Sequence, residues 1–490
     1  MKWCKSIAWI SLFMLVGCAS IPESTVPHFN QILQQRLSIA KNTSNTETQL
    51  ILQQPLTATN AMRLALLNNK TLHAEFAELG IAQSDILAAG LVSNPTIAIG
   101  ALRPEGGGRW QLDFGLTQSM LNLITRSLRT KIARIEYENI QMRVIQSLMH
   151  HLQAMEADYY SAIAEAHRSK LLKTISHAAE TTYELAERFY KAGNISELEY
   201  LTQKNHSFEQ KIKLLHAEHT AYEARLKLAT QLGLKASQKF ILPQQLYDVP
   251  QEKFDGDTLI LQAKKQRLDL KILHRTVQNY AKNSQLLKNG IEEFDVSLKG
   301  EREFDGLKSY GPEFSLSLPI FNQGQARKLS FVSQTKQANY LIEALELSIE
   351  NDIIQTTQNL NNIREQLQIL RLQIIPNSQR QVQLSLQEYN FMLVGIAETL
   401  LLKQQEYDVY VQYIEILKQY WKARSTLAIA LGSALPDVQF KPVVFDSPSN
   451  NKNLQYDSAP FDHSQHTDKK SENVLEKKDL SNQHYGAYHD

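Results

Sequence analysis

Cysteine is nearly absent from this chain of 490 residues: there are two, Cys4 and Cys18, both near the start. No disulfide can staple anything after residue 18, so stability has to come from packing and assembly, even in an oxidising compartment. Long apolar runs are missing as well. Beyond residue 18 no stretch reaches the ~18 consecutive apolar residues of a membrane-spanning helix, so a chain like this can cross a bilayer only with strands. An excess of one charge is missing. Lys and Arg number 52 against 51 Asp and Glu, a net +1, which excludes a broad electrostatic grip on nucleic acid. There is no phosphate loop, nucleophile elbow, metal-ligand spacing or Cys/His arrangement; neither enzyme activity nor a metal or organic cofactor is expected, and His150-His151 reads as helix surface. Helix breakers are missing over a long stretch, since Ser119 to Lys191 holds neither Pro nor Gly.

What is present begins with "MKWCKSIAWISLFMLVGC". Lys2 and Lys5 precede an apolar run from Ile7 to Val16, too short to span a bilayer, and the layout is that of a secretory signal over residues 1–17. Leu15-Val16-Gly17-Cys18 resembles the bacterial lipobox, which implies cleavage before Cys18 and an N-terminal lipid on it. Ala19 in the next position implies delivery to the outer membrane. Residues 18–54 read as an extended polar leader with sparse apolar anchors. Residues 437–490, rich in Ser, Asn, Asp, Lys and His, read as a disordered tail. His463, His466, His484 and His489 there could hold metal only weakly.

Between these ends one plan is written twice, over residues 55–235 and 256–435. Each copy opens with a helical segment, "TATNAMRLALLNNKTLHAEFAELGIAQSDILAAGL" or "DTLILQAKKQRLDLKILHRTVQNYAKNSQLL". A strand pair follows, "NPTIAIGAL" with "RWQLDFGLTQ" (Arg109–Gln118), or "EFDVSLKGERE" with "PEFSLSLPIF" (Pro312–Phe321). Long helical runs come next, and each copy ends on Leu-Gly, at Leu232-Gly233 and Leu431-Gly432. Gly100 and Gly300, Trp110 and Tyr310, Phe114 and Phe314, and Asn122 and Asn322 all stand 200 positions apart.

The run from Ser119 to Lys191 predicts a helix of roughly 105 Å, far too polar for lipid and too long to bury itself in one core. It must pack lengthwise, and spacings such as Ile132, Ile135 and Ile140, then Leu171, Ile175 and Ala178, suit a coiled coil with more than one buried face. At "FYKAGNISELEYL" the left-handed residues Gly193-Asn194 end it and Ser196 caps the next helix. "NFMLVGIAETLLL" holds the matching place, and Pro376 predicts a kink or short break before it. Met120, Met142, Met149, Met155 and Met392 read as core filler rather than a copper relay.

Along the strands Trp110, Leu112, Phe114 and Leu116 oppose Gln111, Asp113, Gly115 and Thr117. Phe314, Leu316 and Leu318 oppose Glu313, Ser315 and Ser317. Val296, Leu298, Ile97 and Ile99 continue the apolar face. This alternation fits a transmembrane barrel strand with aromatics outward, and equally a half-buried sheet over a soluble core. The lipobox and the long helices favour the barrel. Four strands cannot close around a water-filled lumen, and open edges are forbidden in lipid, so the strands must join those of other copies. Three copies give twelve.

These residues resemble the TolC-like outer-membrane factors, in their lipoprotein branch, over roughly residues 55–436. The resemblance rests on "AMRLALLNNKTLHAEFAELGIAQSDILAAGLVSNP", with Asn68-Asn69 and Asn94-Pro95. It rests also on "LSLPIFNQGQARK", where Pro319 ends the strand and Gly324 leads into the helix, and on "YNFMLVGIAETLL" and "YWKARSTLAIALGSALP". The first copy departs from it, with "SMLNL" where the second has "PIFNQG". The resemblance implies a mainly α fold with a small β part: a tandem-duplicated coiled-coil barrel of long helices, plus four strands given to a trimeric twelve-stranded transmembrane β-barrel. It implies a homotrimeric duct in the outer membrane, with its helical barrel in the periplasm, docked on a periplasmic adaptor and an inner-membrane pump. The expected function is export of drugs or metal ions in a tripartite efflux system. A type I protein secretion duct and a periplasmic coiled-coil lipoprotein without a pore are the alternatives.

Carried over residue by residue, the family's acidic constriction falls on Glu398, with Glu197 and Glu199 near the equivalent place. Three copies of Glu398 would form a carboxylate ring favouring cations. A solvated helix-start carboxylate is the plainer reading. The family's second acidic ring is replaced by Leu400 and Leu401, an apolar constriction. Adaptor docking is expected at the exposed tips, Lys191 to Ser196 and Leu393 to Ala397, with Gly193, Asn194, Val394 and Gly395 at their centres.

Overall fold

The computed structural model describes residues 45–250, 254–286, 293–318, 320–433 and 435. Cys18, the signal segment, Pro319 and the tail histidines lie outside these. The elements run α1 (Asn45–Leu52), α2 (Ala58–Asn68), α3 (Lys70–Gly90), β1 (Thr96–Leu102), β2 (Gln111–Ser119), α4 (Leu121–Lys191) and α5 (Glu197–Gln231). They continue with α6 (Gly256–Gln266), α7 (Leu268–Leu286), β3 (Phe294–Arg302), β4 (Lys308–Leu316), α8 (Gln325–Ile369), α9 (Ile375–Asn390) and α10 (Ile396–Leu431). The expected class, mainly α with a small sheet, is what the chain adopts. Part of the leader differs from expectation: α1 is helical, and Ile51 on it is buried.

The order helix, helix, strand, strand, long helix, return helix occurs twice. Each opening helical segment is two helices, broken at Asn69 in the first copy and Arg267 in the second. The two breaks are held alike. Asn69 Nδ2 donates to Gln231 O (2.9 Å), and Arg267 Nη1 to Ala430 O (3.4 Å). Gly233 (φ +69°) lies so close to the Asn68–Asn69 peptide that a Cβ would meet its carbonyl carbon at 2.4 Å. Gly432 (φ +72°) similarly abuts Arg267, 3.0 Å from Cγ. These two glycines serve both a left-handed turn and a close backbone approach.

Helix α4, 71 residues without a breaker, carries two cores along its length. Val144, Ile145 and Met149 pack with Leu79 of α3 and Leu268 of α7. Farther on, Leu172 and Ile175 pack with Leu214 and Ala217 of α5, and Tyr407 and Val411 of α10 close that cluster. Between the two, Tyr159, Tyr160, Tyr420 and Trp421 are fully buried, with Tyr160 stacked on Trp421 at 4.5 Å. Each large side chain so buried contributes roughly 1.5–3 kcal/mol. The linker between the copies is strapped across this aromatic centre. Leu56 N–H donates to Ile241 O (2.8 Å), Trp421 Nε1 to Tyr247 O (3.0 Å), and Arg371 pairs with Asp248 (2.6 Å).

Pro376 bends the second copy without ending it. The ring lacks an N–H and would clash with the preceding turn, and the chain widens into a π-helical turn at Leu370–Ile374 before resuming as α9.

The strands form one antiparallel sheet in the order β1-β2-β3-β4. The last strand differs from expectation. It starts earlier, at Lys308, and ends at Leu316, which leaves Leu318 beyond it and Pro312 inside it, opposite Leu298. Pro312 has no N–H to give, and β4 is a terminal strand of the chain's own sheet. Among the described residues no helix is long and apolar enough to cross a membrane.

Two outcomes follow. Gly193 and Gly233 share a left-handed φ, but a Cβ at Gly193 meets open space. Gly193→Ala should cost about 1 kcal/mol, the backbone penalty alone, and Gly233→Ala at least twice that, read as loss of thermal midpoint. Half-buried His167 has its pKa pushed down to about 4, first by burial and then by Lys170. The unfolded chain takes up that proton first, so stability should fall by on the order of 3 kcal/mol from pH 6.5 to 4, and His167→Gln should flatten that slope in pH-dependent melting.

Candidate functional site

The register of the sheet sorts its side chains onto two faces. Ile97, Leu116, Leu298 and Pro312 stand in one row, and Ile99, Phe114, Gly300 and Tyr310 in the next on the same face. That face lies open, with Ile99 77% and Tyr310 89% exposed. Trp110 is exposed too, one residue before β2, with the Arg103 guanidinium over its ring at 5.7 Å. The opposite face is polar. Thr117 and Ser297 hydroxyls meet at 2.9 Å, Gln111 Nε2 donates to Glu301 Oε1 (2.5 Å), and Lys299 pairs with Glu313. The row Ala98, Gly115, Lys299 and Gly311 is otherwise small, so Lys299 alone projects from it. A sheet with a bare apolar face and a satisfied polar one suits lipid on one side and water on the other.

The two hairpin tips share a backbone and differ in chemistry. Helix α4 closes with Gly193 at φ +73°, Gly193 N–H on Tyr190 O and Asn194 N–H on Phe189 O, both 2.9 Å. Helix α9 closes with Met392 at φ +60°, Met392 N–H on Tyr389 O and Leu393 N–H on Glu388 O, also 2.9 Å. Both are Schellman closures. Gly193 alone is left-handed at the first tip, whereas Asn194 was expected to share that role. At the second tip Met392 takes the place that glycine usually fills, and Gly395 instead caps α10 in extended conformation (φ −79°).

Ser196 accepts from Glu199 N–H (3.2 Å), so Glu199 and Glu398 occupy the same third helical position, while Glu197 sits at the first. Glu398 and Glu197 are exposed and Glu199 half-buried. Each carboxylate complements the positive end of its helix. Leu401 stands one turn on from Glu398 and lines, with Ala397 and Leu400, a groove of about 190 Å³ against the first hairpin's Ile175, Ala179 and His206. Gly193, Asn194 and Gly395 are exposed and Val394 half-buried.

The docking segment expected at the second tip begins at Leu393, and two residues just before it are as exposed as it is. Phe391, Met392 and Leu393 are 77%, 93% and 73% exposed. The run "NFMLVG" held the signal, three apolar residues where the first tip has Ala192-Gly193-Asn194. Two devices behind the tips also went unread. Tyr190 stacks on Tyr200 at 5.0 Å, and Ser385 and Thr399 hydroxyls, both buried, meet at 2.7 Å. Deeper, Lys418 of α10 reaches Glu165 of α4 at 2.6 Å. Burial pulls the Lys418 pKa down, but Glu165 and Glu415 outweigh it and the net direction is up. Among the described residues no group of three or more His, Cys, Asp or Glu could hold a metal ion. His151 is more than surface, meeting Glu75 at 3.0 Å.

Met392→Gly should relieve the left-handed strain and stabilise the second tip by about 1 kcal/mol, whereas Met392→Val should destabilise it. Hydrogen exchange across residues 388–396 reads both directions.

No protein-family model matches the chain, and no curated protein matches it by sequence. Solved structures do. VceC, an outer-membrane protein of Vibrio cholerae, is 12% identical, over 77% of this chain and 96% of VceC, with a TM-score of 0.64. CusC, studied for transmembrane channel formation, is 13% identical over 81% of this chain and 96% of its own, with a TM-score of 0.63. The outer-membrane channel CmeC of Campylobacter jejuni is 15% identical over 76% and 85%, with a TM-score of 0.61. The chain therefore has the fold of the TolC-like outer-membrane channels.

Proposed function

We propose that this chain is the outer-membrane channel component of a tripartite export system, carrying small molecules such as drugs or metal ions from periplasm or pump to the outside. The observation that carries the reading is the sheet itself. Four strands present an apolar face and a polar face, and the outer edges of β1 and β4 have no strand partner among the described residues. In hydrocarbon both edges must be paired. Three copies joined β4 to β1 close twelve strands with the apolar faces toward lipid and Asp113, Lys299 and Glu301 toward water. The likeness to VceC, CusC and CmeC supports the same arrangement.

In this homotrimer the chain is anchored by lipid on Cys18, and α4, α5 and α8 to α10 run into the periplasm as a helical barrel. The tips around Gly193-Asn194 and Val394-Gly395 meet a periplasmic adaptor, and an inner-membrane pump supplies the energy. Threefold symmetry sets three Glu398 side chains at one level, a fixed negative field that admits cations more readily than anions. Glu197 and Glu199 add to that field, and Leu401 supplies an apolar neighbour to it.

Planar-bilayer recording tests this. The wild-type trimer should conduct with a cation preference, and Glu398→Ala should alter conductance and weaken that preference. A channel unchanged by the substitution removes the ring from the reading, and a wild-type chain that never conducts removes the channel.

A further inference from the structure

At the start of α8, Arg327 and Lys328 run against the local rule, and in α4 a run of bases begins just past the first turn. A helix N-terminus favours carboxylates and disfavours cations, yet neither α4 nor α8 has an acid in its first turn. After Ser119 the first carboxylate is Glu136, and before it come Arg126, Arg129, Lys131 and Arg134. After Leu316 the first is Glu343, preceded by Arg327, Lys328 and Lys336. Helix stability does not account for this pattern.

Position does. Met120 N–H still bonds Phe294 O on β3 at 2.8 Å, so α4 leaves the sheet with no linker. Arg126 then lies roughly 8 Å along the helix, Lys131 roughly 15 Å and Arg134 roughly 20 Å. Side chains on a helix lean toward its N-terminus, here the strand end, which brings the guanidinium and ammonium groups nearer the sheet than their Cα atoms. Leu123, Arg126, Ser127, Thr130, Lys131 and Arg134 line one open face of about 480 Å³ to which no other element of the chain contributes. Arg126, Lys131 and Arg134 are exposed, and among the described residues they form no ion pair. Just before them Leu123 and Ile124 are exposed, as are Ile320 and Phe321 before Arg327. Exposed aliphatic and aromatic residues followed at once by exposed bases match the passage from acyl chains to phosphate.

We propose that Arg126, Lys131 and Arg134 form a basic collar beneath the strands that binds the anionic headgroups of phospholipids in the adjoining leaflet. The proposal rests on the channel reading, which puts the strands in the bilayer. The phosphates would neutralise Arg126, Lys131 and Arg134, which meet no carboxylate among the described residues, and would set the depth at which the strands sit.

The test uses the full-length chain reconstituted in phosphatidylethanolamine vesicles holding a minor fraction of phosphatidylglycerol, with spin-labelled phosphatidylglycerol or phosphatidylcholine as probes of protein-bound lipid. The expected result is a preference for phosphatidylglycerol on the order of two- to threefold, lost in high salt and lost in the R126Q/K131Q/R134Q variant. Lys173→Gln, at an exposed lysine far along α4, should leave the preference intact. Equal immobilisation of the two probes by the wild type overturns the collar while leaving the channel standing. So does a variant that keeps the lipid preference but shifts ion selectivity, which would put these bases in the pore, or that keeps it but loses the trimer, which would put them under a neighbouring copy. A chain that immobilises neither probe is outside the bilayer, and overturns both readings.

Discussion

An open strand edge in hydrocarbon leaves a row of backbone N–H and C=O groups without partners, each costing several kcal/mol. The sheet of this chain has two such edges, one on β1 and one on β4. Among the described residues nothing covers either. The apolar face of the sheet is equally bare, with Ile97, Phe114 and Phe314 all exposed. A soluble protein of this fold would carry both liabilities to no purpose, since edges and apolar patches of this kind invite aggregation. In the proposed trimer, closure with copies of itself removes the edges, and lipid covers the face. The count of strands per chain thus sets the need for assembly, and assembly in turn puts each helix below the sheet at a fixed place around an axis.

Such a ring has to hold its helices in register with its strands, and the duplicated locks show how. Gly233 and Gly432 each press the end of a return helix against the break between two opening helices. The partner in one copy is an asparagine amide, in the other an arginine that also pairs with Asp269 at 2.6 Å. The backbone geometry has been copied while the side chains that fasten it differ. Small size is what the two copies share at the contact point: at Gly233 the neighbouring backbone leaves no room for a Cβ, and at Gly432 a Cβ would sit tightly against Arg267.

Much of this was legible in the sequence because it follows from local rules. A 71-residue helix needs no long-range information when Pro and Gly are absent. The Ser196 cap, the strand alternation and the doubled order of elements are equally local. The rest depends on partners far away in sequence. Trp421 bonds Tyr247 across 174 residues, and no spacing rule announces that the linker straps the aromatic centre there. Pro319 suggested where β4 should lie, yet its pairing with β3 begins at Lys308, since register is set by the neighbouring strand and not by the punctuation after it. Left-handed Met392 was hidden because φ above zero is read from glycine, and Gly395 stood nearby as a decoy.

The tips show what duplication followed by divergence can do. Equivalent Schellman closures at Gly193 and Met392 give both hairpins one backbone shape. One tip offers Lys191, Ala192 and Asn194 to water, the other Phe391, Met392 and Leu393. In the proposed trimer the two alternate around the axis, so six hairpins of one shape present three polar and three apolar ends. A partner that reads shape alone would find six equivalent sites, whereas one that buries apolar surface would find three. The strain held at Met392 fits the second case, because a left-handed methionine aims a large apolar side chain outward at the apex of the turn, where glycine would leave nothing to bury.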